Sequence, residues 1–235
     1  MSTGAARASP LILARVAGFL YLLVVPLGIF SLYVDGKLTV LDDAAATANN
    51  LMASISLYRL GIVSNVLAVL ILILVVLILF KLLAPVSKSM AMLMVMFLMA
   101  VVPIGMLCVL FQLAALHVLG GADYLKVFTT EQVQALALLF LRLNDLGGTI
   151  TYIFWGLWLL PMGYLVFKSG VFPRILGVFL MISCFGYVAD SFATLLGHQL
   201  GVGLLTAGGE ILFILWLVIK GVNAEQWEKR ALESA

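Results

Sequence analysis

The chain has 235 residues, of which 64% are hydrophobic and only 10% charged, and its formal net charge is +2. Charge this sparse, with a mean hydropathy of +1.22, cannot clothe a water-facing surface, which excludes a soluble globular domain. An integral membrane protein is expected.

A hydrocarbon core roughly 30 Å thick calls for runs of about 18 to 25 apolar residues at about 1.5 Å rise per residue. Six apolar runs of 16 to 29 residues follow one another: Val16 to Val34, Leu60 to Leu83, Met90 to Val118, Leu146 to Phe167, Ile175 to Leu196 and Leu204 to Ile219. An apolar stretch from Val133 can extend the fourth backwards. None shows the alternation of a barrel strand, and backbone groups in lipid must be satisfied within the segment, so all six are predicted to be helices. The first run is longer than the apolar region of a signal peptide and is expected to be retained.

Two connections carry structure of their own. Asp42 or Asp43 can cap a short helix over Ala44 to Leu57. Thr129 and Gln132 have capping-box spacing, opening an apolar helix that continues to Leu143. These segments are either helices on the outer membrane surface or ordered loops with a helical turn or two. The expected fold class is therefore an all-α membrane protein, a six-transmembrane-helix bundle with two short extracytoplasmic helices.

Basic residues set the orientation. Arg7, Arg15, Lys81, Lys88, Lys168, Arg174, Lys220, Lys229 and Arg230 fall on one side, against Lys37, Arg59, Lys126 and Arg142 on the other. The richer side is cytoplasmic by the positive-inside rule. This predicts a multi-pass protein of the cell inner membrane with both termini cytoplasmic. Residues 1–14 are then an N-terminal tail, 15–221 the transmembrane domain and 222–235 a C-terminal tail. The turns Ala84 to Ser89 and Ser169 to Pro173 are short and each holds a proline, leaving no room for a cytoplasmic domain.

Arg15-Val-Ala-Gly18 resembles Arg174-Ile-Leu-Gly177, and Arg59-Leu60 with Phe80-Lys81 resembles Arg142-Leu143 with Phe167-Lys168. Either hairpins are duplicated, as in many transporters, or similar anchors arose independently.

Motifs for chemistry are absent. Cys108 and Cys184 lie inside apolar runs, where free cysteine behaves as a small hydrophobe. His117 and His198 lack the spacing that places two metal ligands on one helix face. No nucleophile elbow, phosphate-cradling loop or Cys-x-x-Cys occurs. Neither a cofactor nor a metal is expected, and no catalytic residue is assigned.

Two carboxylates inside apolar runs remain the main signal, because charge near a bilayer centre costs at least about 2.5 to 3.5 kcal/mol and usually faces a bundle interior or wet cavity. Counting at about 1.5 Å per residue, Glu210 lies about 15 Å inward of Lys220, near the midplane, and Asp190 about 24 Å beyond Arg174. Asn65 and Tyr152 count to about the depth of Asp190. Ser183, Tyr187, Asp190 and Thr194 recur along one helical stripe, and Thr206 shares a face with Glu210 one turn away. If the last two helices form a hairpin, both stripes face a common interior. The reading as a ligand pocket stands beside a plainer one, in which the stripe joins helices through hydrogen bonds.

Arg59 is the expected counter-charge of Asp190, or else an interfacial anchor reaching lipid phosphate. Glu210 has no cation at its depth and is expected to hold a proton, serving as hydrogen-bond donor or proton carrier. Arg142 and Asp145, three residues apart, are expected to satisfy each other. Gly147-Gly148 is either a break lining a cavity or the joint between loop and span. The ligand-binding residues are thus Glu210, Asp190, Arg59, Asn65, Tyr187, Tyr152, Ser183 and Thr206.

Several stretches together resemble a known bacterial integral membrane family, domain of unknown function 4386. They are Ala14-Arg15-Val16-Ala17-Gly18-Phe19-Leu20-Tyr21-Leu22-Leu23, Asp43-Ala44-Ala45-Ala46-Thr47-Ala48-Asn49, Tyr58-Arg59-Leu60-Gly61, Gly121-Ala122-Asp123-Tyr124-Leu125 and Gln134 to Leu141. Phe154-Trp155-Gly156-Leu157-Trp158-Leu159-Leu160-Pro161-Met162-Gly163-Tyr164, Ser169-Gly170-Val171-Phe172-Pro173-Arg174-Ile175-Leu176-Gly177, Asp190-Ser191 and Gly209-Glu210 complete the likeness, over about residues 12 to 222. The resemblance implies a multi-span architecture and brings no activity or catalytic residues.

Three function classes follow. The first is a small permease or membrane ligand-binding protein with an outward-facing polar pocket. The second is an intramembrane enzyme acting on a lipid or prenyl substrate, with Asp190 and Glu210 as acid and base. The third is a regulatory subunit packed on another membrane protein through small residues such as Gly156 and Gly163. The missing nucleophile and metal motifs favour the first. Expected partners are the membrane lipid bilayer, a small-molecule or lipid ligand, and a second copy of the chain or another membrane protein; nucleic acid is not expected.

Overall fold

The computed structural model describes residues 9–233. Arg7, the rest of residues 1–8 of the expected N-terminal tail and the last two residues of the C-terminal one lie outside them. The described residues form helices and no strand: α1 (Pro10–Leu38), α2 (Ala44–Ala53), α3 (Ile55–Leu83), α4 (Lys88–Leu119), α5 (Thr130–Ser169), α6 (Arg174–Leu195), α7 (Val202–Thr206), α8 (Gly208–Ile219) and α9 (Ala224–Glu233), with a 3₁₀ turn at Asp123–Leu125.

Five of these, α1, α3, α4, α5 and α6, are long and apolar enough to cross a membrane, and α8 is a shorter apolar helix. Large side chains such as Phe19, Ile29, Leu32, Leu70, Leu74 and Leu110 point outward. Apolar surface on this scale is stable where the solvent is lipid. The chain is a multi-pass membrane protein.

The caps form as their spacing predicts. Asp43 accepts the Ala46 N–H at the start of α2 (2.8 Å), and Thr129 and Gln132 exchange side-chain and backbone bonds at the start of α5 (2.9 and 3.3 Å). Helix α2 ends at Ala53 instead of running to Leu57, and Ile55 already opens α3.

Two expectations change. The helix opened by Thr129 does not stop at Leu143: α5 runs 40 residues to Ser169, straight through Gly147-Gly148. These glycines are neither a break nor a joint. A Cβ at Gly147 would stand 2.5 Å from Cys108 Sγ, so the missing side chain serves close packing of α4 on α5. At about 1.5 Å per residue α5 is about 60 Å long, roughly twice a hydrocarbon core.

The sixth apolar run is not one helix. It divides at Ala207 into α7 and α8, and the 12 residues of α8 rise only about 18 Å. Gly208 and Gly209 follow the division, and the Glu210 N–H bonds back three residues to the Ala207 carbonyl (3.1 Å). The Thr206 carbonyl accepts from the Ser183 hydroxyl, 2.5 Å away on α6. That donor satisfies a group the division would otherwise leave bare in an apolar setting.

By packing, the described chain divides into two compact units. One comprises the chain up to Leu23, Ile71–Val101 and the chain from Tyr152 onward; the other comprises Val24–Leu70 and Val102–Thr151.

In the first unit α6 packs against α7 and α8. It also meets α5 closely: a Cβ on Gly163 would lie 2.7 Å from the Gly177 carbonyl oxygen, and one on Gly156 3.0 Å from Tyr187 Cβ. Both glycines offered above to an external partner thus face α6 of the same chain. Residues 222–235, expected to be a tail, contain α9, which is docked. The Trp227 indole N–H donates to the Leu82 carbonyl (2.8 Å) and Arg230 to the Lys168 carbonyl (2.9 Å). These are carbonyls at the ends of α3 and α5, which have no partner within their own helices.

In the second unit Val34, Leu38, Leu51, Tyr58, Leu116 and Leu141 belong to one buried cluster. The expected local pair of Arg142 with Asp145 does not form. Arg142 instead reaches across to the loop before α2, where it donates to the Asp42 carboxylate (2.8 Å) and the Leu41 carbonyl (2.6 Å).

Candidate functional site

Glu210 occupies the first turn of α8 and is 6% exposed. A helix N-terminus carries partial positive charge on its free N–H groups, which favours a carboxylate there. Three neutral donors from three other helices converge on it. Tyr21 of α1 donates its phenolic hydrogen to Oε1. The Trp155 indole of α5 donates to Oε2 (3.3 Å), and the Tyr187 hydroxyl of α6 also donates to Oε2 (3.4 Å).

The position of Tyr21 follows from a glycine one turn earlier. A Cβ at Gly18 would lie 2.7 Å from Leu217 Cβ, so α1 and α8 can approach only without it. Tyr21 projects from the same face three residues on. No cationic side chain pairs with Glu210 among the described residues.

Aromatic rings enclose the carboxyl group. Tyr152 lies parallel to Tyr187, ring centres 6.1 Å apart, and Trp158 packs on Tyr21 (6.0 Å) and Trp155 (6.3 Å). Tyr21 and Trp158 are buried, whereas Tyr152 is 40% exposed. Trp158 buries its indole N–H with no acceptor among the described residues. Tyr21, Trp155 and Tyr187 turn their O–H and N–H edges to the carboxyl group, so it is held by donors within an aromatic setting.

The other expected residues take different places. Asp190 has both oxygens occupied by backbone: Oδ1 by the Gly201 N–H (2.7 Å) and Oδ2 by the Gly203 N–H (3.1 Å). It therefore ties the loop before α7 to α6. Ser183 spans the division between α7 and α8, and the Thr206 hydroxyl turns back within α7 to the carbonyls of Val202 (3.2 Å) and Gly203 (3.1 Å). Of the residues named from sequence, Glu210, Tyr187 and Tyr152 come together. Arg59 and Asn65 lie on α3 in the second unit, where Arg59 is exposed and forms no ion pair among the described residues.

Sequence reasoning missed Tyr21, Trp155 and Trp158. Tyr152, Trp155 and Trp158 do recur at a spacing of three, an aromatic stripe on one helix face. Nothing local marks Tyr21, whose partner is 189 residues away. Among the described residues no group of three or more His, Cys, Asp or Glu side chains could hold a metal ion. His117 instead pairs with the Tyr124 hydroxyl.

An uncharacterized protein of Archaeoglobus fulgidus is 36% identical over 141 residues, covering 60% of this chain and 70% of the relative. No solved structure matches the chain. A family model matches residues 16–221, a range that holds every side chain around Glu210. The chain belongs to the family described as a domain of unknown function, DUF4386.

Proposed function

We propose that this protein is a small permease or membrane ligand-binding protein, that Glu210 is its binding centre, and that its ligand is a small organic cation. One observation carries the reading: a buried carboxylate held by three neutral donors, ringed by Tyr and Trp, with no counter-charge among the described residues. A carboxylate removed from water without a cation costs several kcal/mol. An ammonium group cancels that cost, and each ring face adds about 0.5 to 2 kcal/mol.

The proposal extends to architecture. Helices α7 and α8 serve together as a sixth span, because residues 202–219 rise about 27 Å, close to a hydrocarbon thickness. Discontinuous helices recur at transporter binding sites. Helix α2 and the first turns of α5 are the two extracytoplasmic segments, both termini are cytoplasmic by the lysine and arginine distribution, and the pocket opens outward in a bacterial inner membrane. The intramembrane-enzyme alternative would need Asp190 as an acid or base, and its two backbone bonds speak against that use.

Native mass spectrometry of the purified protein identifies what it retains. Choline and its uncharged isostere 3,3-dimethylbutanol then test the charge. Choline is expected to bind the wild type and to lose binding in Glu210→Gln. Equal binding of the uncharged isostere would sink the proposal.

A further inference from the structure

The second unit holds another carboxylate with no ion pair among the described residues. Asp35 sits near the end of α1, half-buried beside Val34 and Leu38 of the apolar cluster. Its Oδ1 accepts from the Tyr58 hydroxyl of α3 at 3.2 Å and from the Gln112 side-chain amide of α4 at 3.4 Å. Tyr58 is 1% exposed and Gln112 5%.

The other end of the same amide supplies an independent sign. Gln112 Oε1 is buried with no donor among the described residues. A sequestered carbonyl oxygen without a partner is rare, because burial strips its water and returns nothing. Asp145 lies on α5 in the same unit. Arg142, the cation nearest to Asp145 in sequence, is engaged by Asp42 and the Leu41 carbonyl. Asp35 thus presents a negative charge beside an unpartnered oxygen acceptor, with no ion pair among the described residues.

We propose that Asp35, Tyr58 and Gln112 form a binding site for an alkali-metal cation, with sodium the natural probe. Hard cations take carboxylate, carbonyl and hydroxyl oxygens. One shielded carboxylate balances one positive charge, whereas a calcium site draws on six to eight oxygens and magnesium demands near-octahedral geometry. Rotation of the terminal Gln112 torsion, which is soft, turns Oε1 towards the ion; the orphaned oxygen gains a partner and the carboxylate a counter-charge, while the amide nitrogen gives up its bond to Asp35. The site is separate from Glu210 and does not depend on what Glu210 binds.

Thermal unfolding of the full chain in detergent tests this, with sodium replaced by N-methylglucamine at constant chloride. Sodium is expected to raise Tm in a saturable way, as for any ligand of the folded state alone. Asp35→Asn is expected to lose the response, and Gln112→Leu to need at least about tenfold more sodium for the same shift. Excess ²³Na line broadening by the wild type, titrating with the same midpoint, decides the matter if a variant fails to fold. An unfolding curve indifferent to cation, absence of that broadening, a folded Asp35→Asn that keeps the response, or stronger stabilisation by magnesium or calcium would each overturn the proposal. Potassium matching sodium supports it as an alkali-metal site.

Discussion

The Tyr21 hydroxyl donates to the Glu210 carboxyl across 189 residues of chain. This bond ties α1 to α8. Tyr21→Phe keeps the ring against Trp158 and removes only the donor, leaving a buried oxygen short of a partner at a cost of about 1 to 3 kcal/mol. A lowered Tm in detergent is expected. Tyr33→Phe, on an exposed face of the same helix, is the control and should change little.

Glu210→Gln separates charge from shape. The amide nearly matches the carboxyl in size, and it removes a charge whose burial is costly when no cation offsets it. Unfolding measurements should show Tm unchanged or higher, while choline binding weakens at least about tenfold, which is about 1.4 kcal/mol. Intact choline binding in a folded variant would contradict this account.

Asp190→Ala should act on the loop, since both oxygens hold backbone N–H groups. The expected cost is about 1 to 3 kcal/mol. Hydrogen exchange should quicken across residues 197–206 and stay unchanged in α3. Asp190→Asn keeps one acceptor and should fall between wild type and alanine.

Trp227→Phe removes the donor to the Leu82 carbonyl, a bond contributing about 0.5 to 1.5 kcal/mol. Helix α9 should come loose more often while the rest of the fold holds. Limited trypsin digestion should cut faster at Lys229 and Arg230 with no change in Tm.

Gly163→Leu should spread α5 from α6, because even a Cβ there would sit 2.7 Å from the Gly177 carbonyl. Overpacking of this kind costs about 1 to 3 kcal/mol or more. Gly28→Leu, where a Cβ meets nothing within 4 Å, should be tolerated in the same unfolding assay.

Much of this could be read from the chain alone. Apolar runs located the five long helices, because the cost of exposing backbone to lipid is local to each segment. Asp43 and the Thr129–Gln132 pair announced their caps because a cap binds N–H groups two or three residues away. Glu210 stood out because an acid in an apolar run is expensive wherever it points. The division at Ala207 was harder to see: a run of apolar residues has the same hydropathy whether or not one turn inside it is broken. Gly147-Gly148 misled for the complementary reason, since a glycine pair in a helix suggests a break until Cys108 is found against it.

By itself, then, the sequence determined the membrane class, most of the helical segments, their caps and the presence of an acid, Glu210, within an apolar run, all properties set within a few residues by solvent and backbone. Only the tertiary structure decided which groups face each acid. Glu210 drew Tyr21, Trp155 and Tyr187 from three helices, and Asp190 drew two backbone amides. A buried carboxylate must take its partners from whatever segments pack against it. That choice rests on remote contacts such as Gly18 with Leu217, which no local pattern in the chain records.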